Sequence, residues 1–197
     1  MITLKRFRRI EAAVRTAGFA NEIKWSENIV APADAEDFAQ HAIYVIINSG
    51  FRTSVAVLVH ERCMHALTKR RPLSKAFRHE RKVSAIRTIW RDRSALYQAF
   101  LAADDKLDFC ETLPFVGPVT RYHLAKNLGV DTAKQDLHLD RLARRDETTA
   151  AKLCGRLARK TGYRTATVDT ILWRACVEGI LDSRRYLAAG WTAAFAH

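Results

Sequence analysis

At 197 residues, 48% of them hydrophobic, the chain is long enough to bury a core as one domain or two small lobes, and no run of 18 uncharged apolar residues is present to span a bilayer. The formal charge of +12 is spread along the whole chain, which favours a polyanionic partner, nucleic acid ahead of an anionic membrane surface. The four cysteines, Cys63, Cys110, Cys154 and Cys176, form no C-x-x-C pair; this argues against a disulfide framework or a zinc or iron-sulfur site of the usual spacing, and for reduced thiols in a cytoplasm.

Taken in order, the chain shows helical spacing almost throughout and little strand alternation, which predicts an all-α fold, a compact helical bundle. The basic opening MITLKRFRRIEAAVRTAGF lacks the apolar stretch of a targeting peptide, and Ile2, Phe7, Ile10 and Val14 fit one face of a first helix over 2–17, ending at Gly18. A mixed segment, 19–32, carries Trp25 on a loop or short turn. Asp34 is placed to cap a helix in which Phe38, Ala42, Val45 and Ile46 recur at three- and four-residue spacing as far as Asn48-Ser49-Gly50. Thr53 or Ser54 caps the next, with Val55, Leu58, Val59 and Leu67 inside, closed by the basic break Lys69 to Pro72. From Ser74 to Asp92, Lys75, Arg78, Arg81, Lys82, Arg87 and Arg91 share a helix with Phe77, Val83, Ile86 and Trp90; the charged side is either a solvated face or a DNA-contacting one. Helices over 94–101 and 107–112 follow.

Residues 113–145, LPFVGPVTRYHLAKNLGVDTAKQDLHLDRLARR, are the most informative stretch. Leu113 to Gly117 reads as a tight hairpin in which Gly117 allows a backbone conformation or a close approach that a side chain would forbid. Pro118 suits the first position of a helix that runs to Leu128 and stops at Gly129. Backbone N–H groups at such a helix start bind a phosphate without reading a base; Val116, Gly117 and Val119 would supply them, the Thr120 hydroxyl would assist, and Lys126 is a phosphate contact or a solvated charge. A further helix begins near Asp136, which is an N-cap, a chemical group, or both. His138 is expected to tie down the backbone, and Asp140 and Arg141 to be surface or ion-pair residues. A helix over 147–160, a last long helix capped by Thr167 with Asp169 at a cap turn, and an Ala-rich end over 186–197 complete the chain.

The run from Leu113 to Leu142 resembles the helix-hairpin-helix DNA glycosylase superfamily, whose core joins an LPGVG-type hairpin and a helix to a D-x-H helix start, here Asp136-Leu137-His138 with Arg141. Ile46 to Phe51 is also similar to the family's helix end near the flipped base. The resemblance implies one domain over 1–197 with two lobes, the hairpin motif at about 107–129 and the catalytic helix start at about 136. It further implies a monomer that acts on double-stranded DNA in the cytoplasm, at the nucleoid, with no metal or organic cofactor. Asp136 would be catalytic, stabilising the oxocarbenium-like sugar and positioning water. Asn48, Gly50, Phe51 and Arg52 are the candidates at the gap left by the flipped nucleotide, Phe51 to intercalate and Arg52 to contact the opposite strand, with Phe51 equally readable as core and Arg52 as a surface charge. Phe115 replaces the first glycine of the usual hairpin, and Val119 stands where bifunctional members have lysine, which points to a monofunctional enzyme without a Schiff base. Trp25, Tyr44, Trp90 and Trp173 are either core or base-stacking residues. The alternatives are a non-catalytic helix-hairpin-helix DNA-binding module and, with no recognition helix evident, a helix-turn-helix regulator. The base itself stays open, from repair lesions to hypermodified bases of phage DNA.

Overall fold

The structure, a computed structural model, describes residues 1–195; Ala196 and His197, the end of the Ala-rich segment, lie outside them. It is all-α. In chain order the helices are α1 Leu4–Val14, α2 Ala20–Asn28, α3 Ala35–Asn48, α4 Thr53–Thr68, α5 Leu73–Ala76, α6 Glu80–Ala102, α7 Lys106–Thr112, α8 Thr120–Asn127, α9 Leu137–Arg145, α10 Ala150–Thr161, α11 Thr165–Val177, α12 Ser183–Ala189 and α13 Trp191–Ala194. An isolated antiparallel bridge pairs Leu181 with Phe195, and no strand occurs among the described residues. Among the described residues, no helix is long and apolar enough to cross a membrane. The chain forms two compact units, a mid-chain unit, Val30–Val130, and a terminal unit made of Met1–Ile29 and the chain from Asp131 onward.

The mid-chain unit is built around α3. Asp34 caps it by accepting the N–H groups of Glu36 and Asp37, and Phe38, Ala42, Ile43, Val45, Ile46 and Ile47 are fully buried. Each buried aliphatic or aromatic side chain of this size contributes roughly 1.5–3 kcal/mol. The Phe38 ring meets Phe100 on α6 at 5.5 Å and Phe109 on α7 at 6.4 Å. On α4 the buried stripe is Ala56, Val59, Cys63 and Ala66, whereas Val55 and Leu58, expected inside, are exposed. Small residues at helical spacing let another helix approach closely, a signal weaker than that of the larger Val and Leu. The N-cap of α4 is Arg52, with no side-chain bond, in place of Thr53 or Ser54. The two helices expected over 74–92 and 94–101 are the single 23-residue α6, preceded by the short α5. The His79 ring, and no Ser or Asp, caps α6 at the Lys82 N–H. Arg121 on α8 reaches Asp108 at 3.0 Å and Glu111 at 2.7 Å, tying α8 to α7.

The terminal unit packs around α11, whose Val168, Ile171, Leu172 and Ala175 are fully buried. The first helix ends at Val14, and a π-helical turn over Arg15–Phe19, with Gly18 at φ 97°, leads into α2. Trp25 is therefore on a helix, half exposed; with only Ile23 and Ser26 buried, α2 has too short an apolar face to read as periodic. Thr149 caps α10, and Glu147 precedes it at φ 53°. Thr167 is buried within α11 and does not cap it; the Asp131 carboxylate accepts the Ala166 N–H at 2.9 Å from outside the helix. Two buried carboxylates knit distant segments. Asp146 accepts the Ile2 N–H and the Tyr186 hydroxyl, both at 2.7 Å, and Glu11 accepts the Tyr163 hydroxyl at 2.6 Å and the guanidinium groups of Arg8 and Arg15.

Candidate nucleic-acid interface

The turn after α7 closes with a hydrogen bond from the Val116 N–H to the Leu113 carbonyl at 3.0 Å. Pro114 and Phe115 are its central residues, and Phe115 has φ 67°. A proline followed by a left-handed residue is the type II pattern, in which the second central position normally falls to glycine; on phenylalanine it costs roughly 1–2 kcal/mol. The left-handed residue of this segment is thus Phe115, not Gly117. Gly117 lacks a left-handed φ, and a Cβ added there would meet nothing within 4 Å.

These bonds revise the anchoring set. Val116 drops out, because its N–H is used in the turn and its side chain is buried. The N–H groups of Gly117, Val119 and Thr120 meet no acceptor among the described residues. Pro118 precedes the helix and does not begin it, since α8 starts at Thr120. Val119 is exposed. Lys126 is half-buried in the last turn of α8, roughly 9 Å along the axis from Thr120 at 1.5 Å per residue, so it lies at the far end from the open N–H groups. Gly129, with φ 82°, ends the helix against the Val30 and Ala31 backbone.

The second candidate segment follows α3. The Ser49 N–H donates to the Val45 carbonyl and the Phe51 N–H to that of Asn48, and Gly50 turns the chain at φ 79°. Asn48 Oδ1 is buried without a partner. Phe51 is 39% exposed and Arg52 is exposed.

Lys82 joins the two segments. Expected on the charged face of its helix, it is 2% exposed and donates from Nζ to the Ile47 carbonyl at 3.0 Å and to that of Ser49. The same ammonium lies 4.7 Å from the centroid of Phe51 and 5.4 Å from that of Phe115. Burial lowers its pKa, while the end of α3 and two aromatic faces compensate its charge. Phe77 and His79 complete an arc: Phe51 to Phe77 is 5.9 Å, Phe77 to His79 is 6.0 Å and His79 to Phe115 is 5.9 Å. The spacing of Lys82 from Ile86 and Ile89, four and seven residues, was the available sign that it faces inward.

Asp136 belongs to the terminal unit. Its Oδ1 accepts the N–H groups of His138 at 2.9 Å and Leu139 at 3.0 Å, so it is the N-cap of α9, and Oδ2 has no hydrogen-bond partner among the described residues. His138 Nδ1 pairs with Ser183 Oγ at 3.0 Å, tying α9 to α12, and Asp140 lies 3.8 Å from Arg144. Asp169, expected at a cap turn, is buried inside α11 and accepts the Lys134 N–H at 3.0 Å. With Asp131 on the start of α11, it fixes the approach to Asp136 from both ends of 131–134.

Of the other aromatic candidates, Tyr44 is half-buried and edge-on to His60 and His123, while Trp90 and Trp173 are half-buried beside arginines. All four cysteines are buried and outside any disulfide, with burial pushing the Cys63 thiol up to about 11 and those of Cys110 and Cys176 up to about 12. Among the described residues, no group of three His, Cys, Asp or Glu side chains is arranged to hold a metal ion. No family model, no curated protein and no solved structure matches the chain.

Proposed function

We propose that the chain is a monofunctional DNA N-glycosylase of the helix-hairpin-helix kind, which flips out a damaged or modified base and hydrolyses its glycosidic bond. The observation that carries this reading is the half-used carboxylate of Asp136, held by two N–H groups through Oδ1 and unpartnered at Oδ2. Oδ2 would stabilise the positive charge that develops on the sugar while positioning water. The mid-chain unit would hold duplex DNA through the N–H groups of Gly117, Val119 and Thr120, a site for a phosphate oxygen that carries no base information. Phe51 and Arg52, both exposed, would act at the gap left by the flipped nucleotide. Val119 offers no amine for a Schiff base, so the product would be an abasic site.

The test is to incubate the protein with duplexes that each carry one alkylated, oxidised, deaminated or hypermodified base, and to reveal abasic sites with alkali. Asp136→Asn keeps the cap, since Asn caps as well as Asp, and should lose base release while retaining DNA affinity. Borohydride should trap no covalent adduct. Base release by Asp136→Asn would overturn the assignment. A second reading, a non-catalytic DNA-binding module, is favoured by the two capping bonds, which account for Asp136 without chemistry; it predicts DNA binding with no base release from any duplex.

A further inference from the structure

Phe115 poses a question that a phosphate grip does not answer. A turn that needs a left-handed residue carries phenylalanine there, and its ring is 40% exposed. The Phe51 ring, on the other segment, is 39% exposed. Both rings lie over the buried ammonium of Lys82, Phe115 at 5.4 Å and Phe51 at 4.7 Å, and an arc through His79 and Phe77 joins them. Two half-exposed aromatics over a common cation form a platform. Its surroundings suit a polyanion that carries bases: Arg52, Arg78 and Arg81, each next in sequence to a member of the cluster, are exposed, and the open N–H groups of Gly117, Val119 and Thr120 follow Phe115 within five residues.

We infer that Phe51 and Phe115 are a paired stacking platform for an unpaired nucleobase in duplex DNA, so that this turn engages a base through its side chain as well as a phosphate through its backbone. The inference rests on the reading of the mid-chain unit as DNA-binding and adds a preference to it. A fully paired duplex offers only phosphates to the turn, whereas a duplex with one base left without a partner also offers a π face at little unstacking cost. Lys82 is the positioning residue that holds both rings.

The experiment compares fluorescence anisotropy titrations of the full chain with a paired 20-mer duplex and with the same duplex in which a tetrahydrofuran abasic analogue leaves one base unpaired. The wild type should bind the second about tenfold or more tightly, the range of one base–aromatic stack. Phe115→Gly removes the ring and accommodates the left-handed backbone; it should bind the paired duplex within about twofold of wild type and lose most of the preference. Phe51→Ala should also lose it, and Phe115→Tyr, which keeps an aromatic ring, should retain it. Equal binding of both duplexes by the wild type, or a preference that survives Phe115→Gly, would overturn the inference and leave DNA binding intact. Failure of the wild type to bind either duplex would instead defeat the DNA-binding reading, and this inference with it.

Discussion

Replacing Lys82 by methionine tests the interior of the mid-chain unit with little change in volume. Lys82 is 2% exposed, and its ammonium donates to the carbonyls of Ile47 and Ser49. Methionine keeps the unbranched stem and leaves no large cavity, so the change isolates the charged head. Ser49 is half-buried and its carbonyl can recover a water; Ile47 is fully buried, and a buried acceptor left without a donor costs about 1–3 kcal/mol. Relief of ammonium desolvation opposes this loss, but carbonyls at a helix C-terminus and two ring faces already compensate that charge. The expected net result is a destabilisation of about 1–3 kcal/mol, a fall in Tm of roughly 2–12 °C for a chain of this size. Urea unfolding followed by far-UV circular dichroism measures it. The pH dependence has a definite sign. Burial lowers the Lys82 pKa in the folded chain, so between that value and the ordinary 10.5 the unfolded state holds a proton that the folded state has released, and stability rises with pH across the window. Lys82→Met should lack that rise. A variant as stable as the parent at neutral pH would refute the account, because burial of the ammonium would then outweigh its bonds.

Two glycines should respond in opposite ways. Gly129→Ala places a Cβ 2.7 Å from backbone atoms of Val30 and Ala31 at φ 82°, and should lower stability by about 2 kcal/mol or more in a denaturant melt; Gly117→Ala, which meets nothing within 4 Å, should melt within about 0.5 kcal/mol of wild type. At Glu11, burial pushes the carboxyl pKa up, but the Tyr163 hydroxyl and the Arg8 and Arg15 guanidiniums outweigh it and hold the value below 4.5. That stability is present above the unfolded-state pKa and is lost as pH falls through the folded one, so Glu11→Gln should flatten the acid limb of a Tm–pH profile below about pH 4.5. An unchanged acid limb would show that these bonds do not distinguish the two protonation states.

Local chemistry was legible where a residue acts on its own neighbours in sequence. Asp34 as a cap, Gly129 as a stop, Asp136 at a helix start and the buried spacing of Phe38, Ala42, Val45 and Ile46 all follow from periodicity and capping, which operate within a turn or two of helix. Distance in sequence hid the rest. Lys82 among six cations looks like part of a solvated face until the end of α3 supplies carbonyls 33 and 35 residues away. Asp169 looks like a cap until the N–H of Lys134, 35 residues back, reaches its carboxylate. The turn at 113–117 needed one left-handed residue, and composition pointed to Gly117; packing put it on Phe115, whose ring lies over the buried ammonium that also faces Phe51. Charge and periodicity are properties of single segments and can be read along the chain. Compensation of a buried charge or of a strained turn depends on which segments meet, and is settled when they pack.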